Sequence, residues 1–162
     1  MQLAKDLMTR TTVVVPEDML VTDLTRLLRE KRIGGVPVMN KDKKIVGIVT
    51  DTDLFNAMKI LRRMNNNRSK WLEAFSAGKK SINVKEIYTR NVISVLPDTP
   101  VEKVVEIMLE KNIHTIPVMN DNQSELYGVV GRHDVTWAVF GVAAAGDSPA
   151  PKTETAPSPS KV

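Results

Sequence analysis

Two short runs in this chain place a carboxylate where it could do binding chemistry. The first is Thr50-Asp51-Thr52-Asp53, which follows the apolar Gly47-Ile48-Val49 and precedes Leu54, so a strand ends and a helix begins within it. A helix start presents free N–H groups and the positive end of the helix dipole, both of which favour a phosphate nearby. Asp53 offers two acceptor oxygens, a match for the vicinal hydroxyls of a ribose, and the Thr50 hydroxyl can donate or accept. The same residues also make a plain helix cap, with Thr50 as N-cap and Asp53 as the acid at N3, and spacing alone does not separate the two readings. The second run, Gly131-Arg132-His133-Asp134, keeps the acid and loses the hydroxyl. Its Arg132 either reaches a phosphate or stands as an exposed charge at a helix start.

Other chemistries lack their residues. With no cysteine there is no disulfide framework, thiolate metal site or cysteine nucleophile. His114 and His133 are the only histidines, and no carboxylate cluster joins them at ligand spacing, so no dedicated metal site is expected. Neither a nucleophile–base pair, a phosphate loop nor a GxGxxG fingerprint is present, and the chain reads as a binding module rather than an enzyme.

The elements that position these runs come in duplicate. Shifted by about 80 residues, the chain matches itself: Met8-Thr9-Arg10 answers Tyr88-Thr89-Arg90, and Pro16 answers Pro97. Further on, Val36-Pro37-Val38-Met39-Asn40 answers Ile116-Pro117-Val118-Met119-Asn120, and Gly47-Ile48-Val49 answers Gly128-Val129-Val130. Each copy opens with a short apolar strand, Val13-Val14-Val15 or Val92-Ile93-Ser94-Val95. A helix follows, with Val21, Leu24, Leu27 and Leu28 or Val101, Val104, Val105 and Met108 on its apolar face. Asp18 is the capping candidate for the first helix; Thr99, Pro100 and Glu102 suggest a capping box for the second. Two strands joined by a polar turn come next, the first carrying a proline that suggests an edge or a strand end, and a last helix begins at Asp51 or near His133. The expected fold is α/β (α+β), two tandem β-α-β-β-α repeats.

The ordered set in duplicate, with its hydrophobic-x-x-hydrophobic-Pro-Val segments and the Gly-Ile-Val-Thr-x-x-Asp close of the first copy, resembles the cystathionine-beta-synthase-type (CBS) domain pair, or Bateman module, over roughly residues 1 to 140. The resemblance implies pseudo-twofold packing of the repeats around two related clefts. It implies an adenosine-containing ligand there, AMP, ADP, ATP, S-adenosylmethionine or NAD, with any magnesium arriving on the nucleotide. It further implies pairing into homodimers and signalling to an unidentified regulated protein. Matching positions, one cleft would be closed by Thr50, Thr52 and Asp53 against Asn91, Val92, Ile93, Ile113 and His114. The other would set Arg132 and Asp134 against Thr11, Thr12, Val13, Ile33, Gly34 and Gly35. Gly34-Gly35 either lets a planar base approach the backbone or serves a tight strand entry. Thr115 stands where related nucleotide sensors often carry a phosphate-holding base, which counts against a triphosphate.

Composition sets the frame. The 162 residues are 42% hydrophobic but only 4% aromatic, which predicts one bilobed domain with an aliphatic core. The net charge of +4 is concentrated between Lys59 and Lys80, where seven basic residues face Glu73 alone. That stretch is a solvated face or, alternatively, a nucleic-acid patch; a scaffold with empty clefts is the other alternative to a sensor. Repeat 1 is expected at 1–62, a basic linker with a short helix at 63–83, repeat 2 at 84–140 and a Pro/Ser/Thr-rich disordered tail at 141–162. Charges in the first ten residues argue against a secretory signal, no apolar run reaches bilayer length, and a cytoplasmic protein without membrane association is expected.

Overall fold

The computed structural model describes residues 1–10, 13–64 and 82–141, together with Glu73. The first copy runs β1 (Val15–Pro16), α2 (Val21–Lys31), β2 (Gly35–Met39), β3 (Ile45–Thr50) and α3 (Asp51–Met64), after a short α1 (Ala4–Leu7). A 3-10 turn (Val84–Glu86) and β4 (Thr89–Arg90) lead into the second copy, α4 (Val101–Lys111), β5 (Thr115–Met119), β6 (Leu126–Gly131) and α5 (Arg132–Phe140). Strands β1-β2-β3-β4 form one sheet and β5-β6 the other. Isolated bridges Val95–Val118 and Thr9–Val129 stand in the second sheet where β1 and β4 stand in the first. The mixed α/β repeat architecture agrees with the sequence reading.

Both hairpins are built alike. Asn40 Oδ1 accepts from the Lys44 N–H at 2.9 Å, and Asn120 Oδ1 accepts from Ser124 at 2.8 Å, the short polar side chain standing in for a backbone turn. Helices α2 and α4 both stop on a left-handed residue, Arg32 and Asn112, which lets the chain reverse into the strand that carries the proline.

The chain exchanges its leading segments between copies. Ala4 of α1 is fully buried in the second copy's core with Val95, Val104, Ile116 and Val130, while Val84, from beyond the linker, is fully buried in the first with Val15, Leu24, Val36 and Val49. Burying one such valine contributes roughly 1.5–2 kcal/mol, so each copy holds the other's entry segment in place. The hydrogen bonds agree: Thr9 donates to Val129 O at 2.9 Å on the second sheet, and Arg90 pairs with Gly47 on the first. Gly47 and Gly128 make these crossings possible. A methyl on Gly47 would overlap the Tyr88 ring and lie 2.5 Å from Thr89 O, and one on Gly128 would lie 2.6 Å from Thr9 O. Among the described residues the buried hydrophobic core consists of Val, Leu, Ile, Met and Ala side chains, as the low aromatic content predicts.

Several local expectations are corrected. The first strand of each copy is shorter than its apolar run, two residues at Val15–Pro16 and the single bridge at Val95. Helix α4 is entered through Pro100, and the Thr99 hydroxyl instead accepts from the Leu96 N–H at 3.0 Å, stabilising the turn before the helix rather than capping it. Helix α2 is entered through Leu20 with no side-chain cap, so Asp18 does not serve. The last helix of the second copy starts at Arg132, next to His133 as expected. Pro37 lies on a strand paired on both sides, not on an edge. The second copy shows why this is tolerated: its neighbour uses only Pro117 O and the Met119 N–H, so the missing proline donor leaves nothing unpaired. The short helix expected within the linker lies, apart from Glu73, outside the described residues, as does the tail from 142.

Candidate functional site

Asp53 is fixed by its own helix start. Its Oδ2 accepts from the Thr50 N–H at 2.8 Å and from the Thr50 hydroxyl at 2.9 Å, and the Asp53 N–H reaches back to Thr50 Oγ1 at 3.4 Å. That is a reciprocal capping box, satisfying donors that a helix start would otherwise leave open. The other carboxylate oxygen faces across the chain, where the Thr89 hydroxyl donates to Oδ1 at 3.2 Å. Thr89 lies two residues ahead of Asn91, so Asp53 of the first copy meets the segment that opens the second.

The rest of this region is partly assembled. Thr50 is half-buried and Thr52 exposed in the first turn of α3. Asn91 is exposed with φ 59°, a left-handed conformation that asparagine tolerates, and it turns the chain out of β4. Val92 is half-buried, Ile93 is exposed, and Ile113 packs on the second core. His114 is exposed, and its carbonyl accepts from the Arg132 N–H at 2.9 Å. Its counterpart Gly34 makes the same bond to Asp51 at 2.9 Å, so in each copy the strand entry is tied to the start of that copy's last helix. Gly35 is buried, and a methyl there would lie 3.0 Å from Thr50 Cγ2 and 3.4 Å from Thr115 Oγ1. Thr50, Gly35 and Thr115 therefore converge where the two copies meet. Gly34 faces open space, which leaves its backbone approachable.

The second region is barer. Asp134 accepts one hydrogen bond, from the Gly131 N–H at 2.7 Å. It is half-buried, and burial raises its pKa above the usual carboxylate value, with the Gly131 bond and His133 pulling the other way. Arg132 is exposed and forms no ion pair among the described residues. Val13 and Ile33 pack on the first core; Thr11 and Thr12 lie outside the described residues. Among the described residues no group of three or more acidic or histidine side chains could hold a metal ion, and no helix is long and apolar enough to cross a membrane.

Thr89 is a contact that sequence reasoning did not assign to a site, and Thr115 figures there only as the absence of a base. Thr89 was visible as the repeat partner of Thr9, but nothing in its type pointed at Asp53.

The CBS domain model matches twice, over residues 4–60 and 84–141. The chain belongs to the CBS-domain family. An uncharacterised protein of Methanocaldococcus jannaschii, MJ1426, is 30% identical over 155 residues, covering 85% of this chain and 91% of that protein. A homoserine O-acetyltransferase of Methanohalobium evestigatum is 29% identical over 81% of this chain, which spans only 23% of that enzyme. Among solved structures, the CBS domain pair of protein MJ0100 in complex with 5′-methylthioadenosine and S-adenosyl-L-methionine has a TM-score of 0.68 at 26% identity, covering 86% of this chain and 97% of that one. CBSX2 in complex with AMP gives 0.65 at 25% identity, again over 86% of this chain and 97% of that one. The chain is thus a tandem CBS pair, as the duplicated motifs suggested.

Proposed function

We propose that this CBS pair is a regulatory module that binds an adenosine-containing ligand, AMP, ADP, ATP, S-adenosylmethionine or NAD, between its two copies and signals to a partner protein without catalysing a reaction. The observation that carries the reading is the Asp53 carboxylate. One oxygen is committed to the helix cap, and the other is held by a single long bond from Thr89, an exposed residue of the other copy's entry segment. A ribose hydroxyl can replace that bond with a shorter one, so binding need not dismantle the cap. The adenosyl ligands bound by the structurally similar MJ0100 pair and by CBSX2 support the same ligand class.

Signalling follows from the exchange of segments. A ligand that displaces Thr89 from Asp53 acts where β4 joins the first sheet, and β4 is continuous with the segment leading into Val95 of the second. Binding would bias the relative position of the copies by whatever it gains in one arrangement over the other. Calorimetric titration with each of the five ligands tests this. The expected outcome is saturable binding by at least one, weakened in Asp53→Ala by about 1.5–3 kcal/mol, the worth of hydrogen bonds to a charged group. Equal affinity in a folded variant would remove Asp53 from the site.

A further inference from the structure

Helix α3 has two faces of different kinds. Ala57 and Leu61 are buried, with Leu54 packed on the same cluster, while Phe55, Met58, Lys59, Arg62 and Arg63 are exposed. Those five fall at i, i+3, i+4, i+7 and i+8, so they share one stripe of the helix. Phe55 is 68% exposed, a large aromatic surface left in water. Lys59, Arg62 and Arg63 make no ion pair among the described residues.

Cations in the last turn of a helix suit the negative end of its dipole, but that effect fades beyond the turn and does not account for Lys59. Helices α2 and α4 also end on basic residues, Arg29 and Lys31 or Lys111, yet they interleave Glu30 or Glu110 with them. Each also sets a cation against an acid of its own, Arg26 on Asp23 and Lys103 on Glu106. Those faces neutralise themselves. From Leu54 to Leu72, by contrast, the sequence holds five basic residues and no acid. Helix α3 therefore carries a positive field that neither its own last turns nor the adjoining sequence cancels.

We propose that this stripe binds single-stranded nucleic acid, a function separate from that of the adenosyl cleft. Phosphates pair with Lys59, Arg62 and Arg63, and a base stacks on Phe55 with Met58 beside it. The arginines present fork-shaped donors that match a phosphate's oxygens. From Phe55 to Arg63 the stripe rises about 12 Å, the length of roughly three or four nucleotides of one strand. An exposed aromatic next to a positive track favours unpaired strands, because in a duplex the faces of the bases are already stacked.

Fluorescence anisotropy of labelled oligo(dT) and oligo(U), each about 12 nucleotides long, tests the proposal on the full chain. Both probes lack adenine, so an adenosine cleft is not read. Saturable binding at low salt is expected, weakening as salt rises with a log–log slope of about −2 for three phosphate contacts on a single strand. The tighter of the two probes tells RNA from DNA. Lys59→Gln/Arg62→Gln/Arg63→Gln should weaken binding by about tenfold or more and flatten the slope. Phe55→Ala should weaken it by about fivefold or more with the slope unchanged, since stacking releases no counterions. Arg26→Gln/Arg29→Gln on α2 should alter neither. Every substituted residue is exposed, so circular dichroism should show an intact fold, and the salt slope of the unaltered chain reads the proposal without any variant. No binding of either probe at low salt overturns it. So does a duplex of the same length bound as tightly, or equal losses in the α2 and α3 variants, which would mean net charge alone. Anionic phospholipid vesicles bound through the same residues, with neither oligonucleotide bound, would assign the stripe to a membrane surface instead.

Discussion

Three donors converge on Asp53, two from Thr50 and one from Thr89 of the other copy's entry segment, whereas Asp134 at the equivalent helix start receives one. One of the two missing donors traces to a substitution within the repeat, Thr50 in the first copy against Gly131 in the second; the other does not, since Thr9, the counterpart of Thr89, is retained and makes no such bond to Asp134. Without the hydroxyl, the cap is not reciprocal, one carboxylate oxygen gains no partner from it, and burial is left to push the acid toward its neutral form. Duplication therefore preserved the scaffold while the two helix starts diverged, one toward a rigid carboxylate and the other toward a carboxylate beside an exposed arginine.

The largest expected effect that sharpens the comparison lies behind these sites, where the exchanged segments cross. Gly47→Ala should destabilise the fold by about 3 kcal/mol or more, since the added methyl meets both the Tyr88 ring and a backbone carbonyl in a packed sheet. Gly128→Ala should cost less, about 1–3 kcal/mol, because besides the Thr9 carbonyl it meets only the flexible Met8 side chain. Denaturant midpoints of the two variants measure the difference, and equal losses would mean the crossings are equally tight. At the caps, Asp53→Ala should cost about 1–2 kcal/mol of stability without ligand and Asp134→Ala less than about 1 kcal/mol, again by denaturant titration.

The smallest effect is in pH dependence. The folded state raises the pKa of Asp134 above its unfolded value, so the folded chain holds that proton more tightly. Its contribution to stability is therefore best at pH values below the unfolded pKa and declines as pH rises through the interval up to the raised, folded one. Asp134→Asn should flatten that part of the stability profile, so that variant minus wild type becomes more favourable with rising pH in the carboxylate range. A difference that is constant with pH would show that burial does not hold the proton.

Much of this was legible in the sequence because the repeat repeats its physics. Apolar spacing on α2 and α4, the Asn40 and Asn120 turns and the paired glycines each recur about 80 residues on, and two weak signals in the same order make a strong one. The capping of α2 and α4 was not legible, since Asp18 and Thr99 are good cap residues but the helices are entered through Leu20 and Pro100, just beyond them. The exchange of entry segments was invisible for a different reason. Ala4 and Val84 are small apolar residues that would suit either core, and which sheet they join is decided by long-range pairing rather than by local pattern. At the site, Asp53 and Thr50 could be named from spacing, but the choice between cap and ligand contact could not, and the geometry shows the carboxylate serving the cap with one oxygen and facing Thr89 with the other.

The most direct test of the account is the thermal unfolding midpoint with and without AMP, ADP, ATP, S-adenosylmethionine and NAD, on wild type and on Asp53→Ala. A ligand at 100 times its dissociation constant adds about 2.7 kcal/mol to stability, and the account predicts a rise in the wild-type midpoint with at least one ligand that is lost or sharply reduced in the variant, over and above the variant's lower midpoint without ligand. No rise with any of the five, or the same rise in both proteins, would contradict it.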